Sequence, residues 1–179
     1  MRHLLALLLV VGAASLAAAQ TPAFTFGGET YIQKFEVKGR APNAQVEFGL
    51  PGEPLEGWTK LVTLHSFSQN GNDAYRAAAG LATLIRERHR GAKYRVISNA
   101  QSREAIIDFL LPVPNSELME FNLFKYAPAG DELVALQFAQ RVKLGEIGAE
   151  ELRGIRNRAV EEMTTYDMAP VRAFFGKGK

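Results

Sequence analysis

The sequence predicts an α+β fold in which one antiparallel sheet of about six to seven strands is flanked by two main α-helices. Most segments between Tyr31 and Lys143 place apolar residues at every second position, which is the side-chain period of a strand. Two other segments repeat apolar residues at helical spacing. Turns rich in proline, glycine and asparagine separate the strands, and short turns join antiparallel neighbours. We therefore expect one layered domain over residues 31–175.

Three strands are predicted before the first helix. Residues 31–37 alternate, and one face carries Tyr31, Phe35 and Val37. Residues 46–50 also alternate, and the two prolines at 51 and 54 end that strand because proline cannot donate to a ladder. Residues 58–67 are rich in β-branched and aromatic side chains, which favours a third strand. Residues 20–30, with adjacent glycines, are expected to form a flexible lead-in.

The first helix is predicted from about residue 74 to residue 90. Asn72 or Asp73 can accept hydrogen bonds from the free amides of its first turn. Its apolar stripe consists of Ala74, Ala77, Ala78, Leu81, Leu84 and Ile85. Basic side chains in the last turn offset the negative end of the helix dipole. Gly91 suits the left-handed residue that commonly follows a helix.

Four further strands are predicted after this helix. They cover residues 94–98, 103–111, 119–123 and 131–143. The last is the clearest, because Val134, Leu136, Phe138 and Val142 share one face. The Ala-Pro-Ala-Gly sequence at residues 127–130 is typical of a hairpin, so the last two strands should pair antiparallel.

The second amphipathic helix is predicted over residues 149–166. Its apolar stripe consists of Leu152, Ile155, Ala159, Met163 and Tyr166. Pro170 interrupts the pattern, so we expect a short closing turn and then a polar tail at residues 176–179.

Residues 1–19 have the three-part pattern of a secretory signal peptide. Arg2 and His3 form a basic start, residues 4–14 are apolar, and Ala17 and Ala19 suit the small pockets of a signal peptidase. The apolar stretch is shorter than the roughly 20 residues of a spanning helix. We expect cleavage after Ala19, no transmembrane segment in the mature chain, and a soluble product that is periplasmic or secreted.

The composition excludes several classes of function. A formal net charge of +2 argues against a nucleic-acid-binding protein, which needs a strong basic excess. Because the chain has no cysteine, it has no disulfide framework, no cysteine-ligated metal and no thiol nucleophile. The two mature histidines lack the spacing of a zinc motif, so we expect no metal site and no cofactor.

No catalytic constellation is visible in the sequence. His65 precedes Ser66 in a predicted strand, and neighbouring strand residues point to opposite faces, so they cannot pair as base and nucleophile. No glycine elbow surrounds a serine. Acidic pairs such as Glu161 and Glu162 are adjacent on a helix, which is not the geometry of glycosidase carboxylates. We therefore predict no catalytic residues.

Two groups of residues are candidates for binding a ligand or partner. The basic run at the end of the first helix consists of Arg86, Arg88, Arg90, Lys93 and Arg95, of which Arg86, Arg88 and Arg95 are the predicted site residues. It could hold an acidic partner, an anionic lipid headgroup or a polyanion, and the alternative is a solvated helix end. Trp58 and His65 could mark a ligand groove, and the alternative is an ordinary position at the edge of the core.

Two stretches of the sequence carry a family resemblance. Residues 48–53 (FGLPGE) and 58–63 (WTKLVT) resemble small exported bacterial proteins of the Mog1/PsbP-like type. Those proteins share the order strand, proline turn, tryptophan, strand and helix, and the similarity extends loosely over residues 31–166. The resemblance implies an antiparallel sheet sandwiched by helices and a non-enzymatic binding or accessory role. It implies no site residues, because such families share a fold more than a site.

These observations favour an exported, non-enzymatic binding or accessory module of the bacterial envelope, whose partner is an unknown protein or small ligand. One alternative is a periplasmic hydrolase whose site is assembled only in space around His65. Another is an envelope-structural protein. A deep apolar cleft near Trp58 and His65 would favour a small ligand, whereas a flat face centred on Arg86, Arg88 and Arg95 would favour a macromolecule.

Overall fold

Eight strands and one helix lie between Ala23 and Lys143 in the described part of the chain, and two further helices follow them. The computed structural model describes residues 21–37, 43–68, 71–143 and 145–176. Its elements are β1 (Ala23–Phe26), β2 (Glu29–Val37), β3 (Asn43–Gly49), β4 (Lys60–Phe67), α1 (Ala74–Arg88), β5 (Tyr94–Asn99), β6 (Glu104–Pro112), β7 (Leu118–Ala129), β8 (Glu132–Lys143), α2 (Ala149–Thr165) and α3 (Ala169–Gly176). The predicted signal peptide and residues 177–179 of the predicted tail lie outside the described residues.

All the described strands belong to one antiparallel sheet in the order β1-β2-β3-β4-β8-β7-β6-β5. The predicted α+β class and the antiparallel sheet flanked by helices are confirmed. The predicted numbers were wrong, because the described residues form eight strands and three helices instead of six to seven strands and two main helices. The additional elements are β1 and α3.

β1 lies in the segment that was predicted as a flexible lead-in. It pairs with β2 through a turn at Gly27 and Gly28, whose φ angles are +59° and +75°. A two-residue hairpin turn of type I′ needs positive φ at both positions, which glycine adopts without strain. Phe26 is buried, with its ring centre 5.1 Å from that of Phe138. The glycines therefore form a defined turn and do not loosen the chain.

α3 lies where a closing turn was predicted. Asp167 accepts a hydrogen bond from the backbone N–H of Ala169 at 2.9 Å, which caps the start of the helix. Pro170 follows in the first turn, where the N–H that proline lacks has no partner within the helix. The proline was interpreted as an interruption, but in this position it is compatible with the beginning of a helix.

β2 contains an irregularity that the sequence pattern did not predict. Its register with β3 shifts between Gln33 and Phe35, which is the mark of a β-bulge. The bulge moves the following residues to the other face of the sheet. Tyr31 is therefore fully buried, whereas Phe35 and Val37 are 43% and 42% exposed. The prediction that these three side chains share a face was wrong.

The helices cover the two faces of the sheet. α1 packs on one face, where Ala78, Ala82 and Ile85 join Ile107 and Leu133 in a buried cluster. α2 and α3 pack on the other face, where a second buried cluster includes Met163, Val171, Val134, Leu136 and Phe138. The central strand β8 thus contributes alternate side chains to the two clusters, as the period of a strand requires. Within the described residues, no helix has the length and apolar character needed to cross a membrane.

Two buried ions of the sheet hold α2 in place. Asp108 of β6 accepts hydrogen bonds from Nε and Nη2 of Arg156 at 2.7 and 2.8 Å. Lys125 of β7 donates to the carbonyls of Thr164 and Tyr166 at 3.2 and 2.8 Å, and its Nζ atom lies 3.1 Å from a carboxylate oxygen of Glu104. Lys125 therefore satisfies carbonyls at the C-terminal end of α2, which lack partners within the helix. These contacts fix the position of α2 above β6 and β7.

Candidate functional site

A groove lies between the β5–β6 edge of the sheet and the first half of α2. Its volume is about 460 Å³. The apolar side chains of its lining include Leu110, Phe121 and Leu152, and the charged ones are Lys93, Arg95, Arg153, Arg156 and Asp108. We call this cavity the cationic groove, because four basic side chains and one carboxylate line it.

Strand and helix periodicity bring the basic side chains to the groove. Lys93 lies directly before β5 and Arg95 is the second residue of that strand, and both line the groove from the edge of the sheet. Arg153 and Arg156 are three residues apart on α2, so they lie on the same side of the helix. The two pairs therefore face each other across the groove.

The basic side chains differ in their ionic partners. Both carboxylate oxygens of Asp108 accept from Arg156, and Nε of Arg95 lies 3.5 Å from one of them. Within the described ranges, neither Lys93 nor Arg153 forms an ion pair. The groove therefore has an excess of positive charge next to apolar side chains, an arrangement that can bind an anion through charge-assisted hydrogen bonds.

A second feature lies on the face of the sheet that carries α1. It is a run of polar and aromatic side chains, which we call the polar chain, composed of His65, Gln137, Asn122, Glu120, Arg141 and Trp58. The hydrogen bonds from His65 to Gln137, Gln137 to Asn122 and Asn122 to Glu120 measure 2.9, 2.8 and 3.0 Å. Nε of Arg141 donates to Glu120 at 3.3 Å, and its Cζ atom lies 3.8 Å from the centre of the Trp58 ring.

The polar chain fixes the tautomer of His65. Because Nε2 of Gln137 donates to Asn122, its Oε1 atom is oriented to accept from Nε2 of His65. Burial lowers the pKa of His65, although the hydrogen bond with Gln137 opposes this shift. His65 is therefore a neutral imidazole with its proton on Nε2, stacked against the rings of Phe67 and Phe124.

Trp58 and His65, the two candidates from one predicted strand, lie at opposite ends of the polar chain. The connecting side chains come from β7 and β8, and Gln137 is 72 positions from His65 in the sequence. As predicted, His65 and Ser66 face opposite sides of the sheet, since they pair with Ala135 and Val134 of β8.

The three arginines predicted as site residues from the basic run do not lie on one surface. Arg86 and Arg88 are in the last turn of α1. Arg95 contacts Asp108 on the opposite face of the sheet, where Asp108 binds α2. Of these three arginines only Arg95 lines the cationic groove, together with Lys93 of the same run. Arg153 and Arg156 were not predicted as site residues. The sequence did contain one signal for them. Both are basic and lie near Leu152 in the first turns of a helix, where acidic residues are favoured.

The arrangement offers an anion-binding groove and a hydrogen-bonded chain around a neutral histidine. In the part of the chain that the structure describes, no three His, Cys, Asp or Glu side chains are grouped so that they could hold a metal ion. Every buried side-chain nitrogen or oxygen in the same ranges has a hydrogen-bond partner. The fold and the groove thus describe an α+β protein with an eight-stranded antiparallel sheet and a cationic cavity at its edge.

The chain belongs to a protein family whose model matches residues 18–168. The family is uncharacterised, so membership supplies neither an activity nor a ligand. No curated protein and no solved structure matches the chain.

Proposed function

We propose that this protein is an exported, non-enzymatic binding protein of the bacterial envelope that holds an anionic ligand in the cationic groove. The observation that carries the proposal is the pair Lys93 and Arg153. These two basic side chains lack an acidic partner within the described residues, and they line a cavity that also exposes apolar side chains.

The geometry of the groove supports binding in two ways. Ligand cavities are mostly apolar and contain a few well-placed polar groups, which is the composition of this lining. Asp108 holds Arg95 and Arg156 in position, so these side chains lose little conformational freedom when an anion binds nearby. Apolar neighbours also reduce local screening by water, which strengthens the attraction between an anion and the four basic side chains.

The contacts of His65 favour a structural role over a catalytic one. Its Nε2 proton is engaged by Gln137, and two aromatic rings stack on the imidazole. Ser66 faces the other side of the sheet. These observations support the non-enzymatic proposal against a hydrolase centred on His65.

Binding can be tested with anilinonaphthalene sulfonate, a fluorescent anion with an apolar body. The full chain should bind this probe, and the Lys93→Ala/Arg153→Ala double variant should bind it at least tenfold more weakly, since about 1.5–3 kcal/mol is lost with each charged hydrogen bond. The Arg86→Ala/Arg88→Ala variant removes the same charge from the end of α1 and should bind within about twofold of the parent.

Equal binding by the parent and the Lys93→Ala/Arg153→Ala variant, with circular dichroism spectra unchanged, would refute the groove as the binding site. A loss in the Arg86→Ala/Arg88→Ala variant alone would assign binding to the end of α1. Both results would leave export untouched, so export needs its own experiment.

Export rests on the signal-peptide pattern and on the resemblance to Mog1/PsbP-like exported proteins. Expression with the native amino terminus in a bacterium should deliver a chain that begins at Gln20 to the periplasm or the medium. Replacing Ala19 by leucine should block cleavage, whereas the same change at Ala18 should be tolerated because that side chain lies between the two peptidase pockets. A full-length cytoplasmic product would contradict export.

A further inference from the structure

A second cavity adjoins the cationic groove. Its volume is about 390 Å³, and Lys93 and Leu110 line both cavities. Its other apolar lining includes Leu111, Pro112 and Met119. The two cavities therefore meet at Lys93 and continue along the same edge of the sheet.

The floor of both cavities follows one row of side chains on β6. Asp108, Leu110 and Pro112 occupy alternate positions and so face the same side of the sheet. In the neighbouring strand, Phe121 pairs with Leu110 and Met119 pairs with Pro112. From Asp108 to Pro112 the strand advances about 14 Å, at roughly 3.4 Å per residue. Together the cavities form an elongated trough that is charged around Asp108 and apolar toward Met119.

The distribution of charge distinguishes the two halves of the trough. The half above Asp108 holds Arg95, Arg153 and Arg156, with Lys93 at the junction. The other half contains no acidic side chain in its described lining, and its apolar side chains come from β6 and β7. His89 and Arg90 also line this half, at the turn that leads from α1 to β5. A ligand that matches both halves has an acidic head and an apolar body.

We infer that the occupant is an elongated amphiphilic anion, with an acidic head between Lys93 and Arg153 and a single alkyl chain that lies over Leu110 toward Met119. This inference rests on the proposed function and names the class of ligand. A fully hydrophilic anion would leave Leu110, Pro112 and Met119 in contact with water, so it would gain nothing from the second cavity.

The length of the alkyl chain provides the test. The sodium salts of acetic, hexanoic, octanoic and decanoic acid, below their micelle concentrations, can be titrated into the full chain by calorimetry. Affinity should increase about fourfold for each added methylene, which corresponds to about 0.8 kcal/mol for each methylene buried.

Equal affinities for acetate and decanoate would overturn the inference and leave anion binding in place. If anilinonaphthalene sulfonate binds and none of the carboxylates does, the amphiphilic ligand is rejected and anion binding in the groove stands. If neither the sulfonate nor any carboxylate binds, both proposals are rejected.

Variants can separate the head from the tail. The Lys93→Ala/Arg153→Ala variant should weaken every acid by a similar factor of about ten or more and leave the dependence on chain length unchanged. Met119→Gln should reduce the dependence on chain length and leave acetate binding unaltered. Pro112→Ser, at an exposed position beside Met119, provides a second tail variant if Met119→Gln fails to fold. An unchanged dependence on chain length in a folded tail variant would refute this placement of the alkyl chain.

An acyl anion can be free or part of a membrane lipid, and vesicles distinguish the two sources. For a free acid, decanoate should bind in solution and vesicles of phosphatidylglycerol should not sediment the protein. Sedimentation with those vesicles that decanoate fails to reverse would overturn the inference of a free single-chain ligand.

Discussion

Replacing Arg156 by glutamine should lower the free energy of unfolding by about 3 kcal/mol. Arg156 donates to both oxygens of Asp108, whose side chain is only 5% exposed. In the variant, the carboxylate keeps one basic neighbour, Arg95, whose Nε atom is 3.5 Å away on a half-exposed side chain. The substitution therefore leaves a buried negative charge with a weak partner.

The expected magnitude follows from the burial of the two partners. Removing one member of a buried ion pair costs about 3–5 kcal/mol, whereas exposed pairs contribute about 0–1 kcal/mol. Asp108 is buried, but Arg156 is 29% exposed and Arg95 remains nearby, so the lower end of the first range applies. For a domain of this size, a loss of about 3 kcal/mol lowers Tm by roughly 6–12 °C.

Urea unfolding, followed by circular dichroism and by the fluorescence of the single tryptophan, measures this loss. Arg153→Gln is the matched control, because it makes the same change three residues away at a side chain without an ion pair in the described ranges. Arginine and glutamine have similar helix propensities, so the control should stay within about 0.5 kcal/mol of the parent. A difference below about 0.5 kcal/mol between the two variants would refute the reasoning.

Three other contacts give further predictions. Lys125→Met removes the ammonium that binds the C-terminal carbonyls of α2, so we expect a loss of about 2–3 kcal/mol and faster amide hydrogen exchange at that end of the helix. Folding lowers the pKa of His65, so the unfolded chain binds a proton at this histidine at a higher pH than the folded chain does. The free energy of unfolding should therefore decrease as the pH falls below 6.5. Unfolding measured at several pH values should show a smaller decrease in His65→Gln. Arg141→Gln removes the guanidinium stacked on Trp58 and should shift its emission to longer wavelength. Unchanged hydrogen exchange in Lys125→Met would contradict the role of Lys125 at the end of α2. An unchanged pH dependence in His65→Gln would contradict the lowered pKa of His65, and unchanged emission in Arg141→Gln would contradict the stacking on Trp58.

Local signals in the sequence were sufficient to predict most elements of the fold. The N-cap at Asp73, the antiparallel pairing of β7 with β8 and the start of α2 at Ala149 all depend on neighbouring residues, and the structure contains each of them. The turn of that hairpin lies after Ala129, because residues 127–129 of the predicted turn belong to β7. Predictions failed where one local signal fits two structures. The glycines at 27 and 28 fit a loose segment or a hairpin turn, and Pro170 fits the end of a helix or its first turn.

The bulge in β2 illustrates a different limit. Nothing in the alternation of residues 31–37 indicates where an extra residue will be inserted, because the shift is defined by the pairing with β3. The position of a bulge therefore depends on a contact between strands. For this reason the alternation alone predicted Phe35 and Val37 on the same face as Tyr31, whereas the structure leaves both half-exposed.

The candidate site could be predicted only in part. Arg95 was found because it belongs to a basic run, which also contains Lys93, but the other charged residues of the groove come from β6 and α2. Arg95 contacts Asp108 because β5 pairs with β6, and Arg156 contacts Asp108 because α2 packs on that face of the sheet. Neither arrangement can be inferred from the local sequence. Trp58 and His65 were likewise identified individually, whereas the chain that connects them runs through β7 and β8.

Asp108 connects the stability of the fold to the charge of the groove. It attaches α2 to the sheet through Arg156, and it is the one carboxylate in the described lining of the cationic groove. A neutral side chain at this position would weaken the attachment of α2 and also raise the net positive charge that faces the ligand. The head of the ligand lies between Lys93 and Arg153, which Asp108 does not hold. The added positive charge should therefore outweigh the lost ordering of Arg95 and Arg156, so stability should fall while affinity for an anion rises. If the ion pair of Asp108 were purely structural, replacing Asp108 would lower stability and leave anion affinity unchanged. An increase in anion affinity therefore distinguishes a binding groove from a cavity that binds nothing.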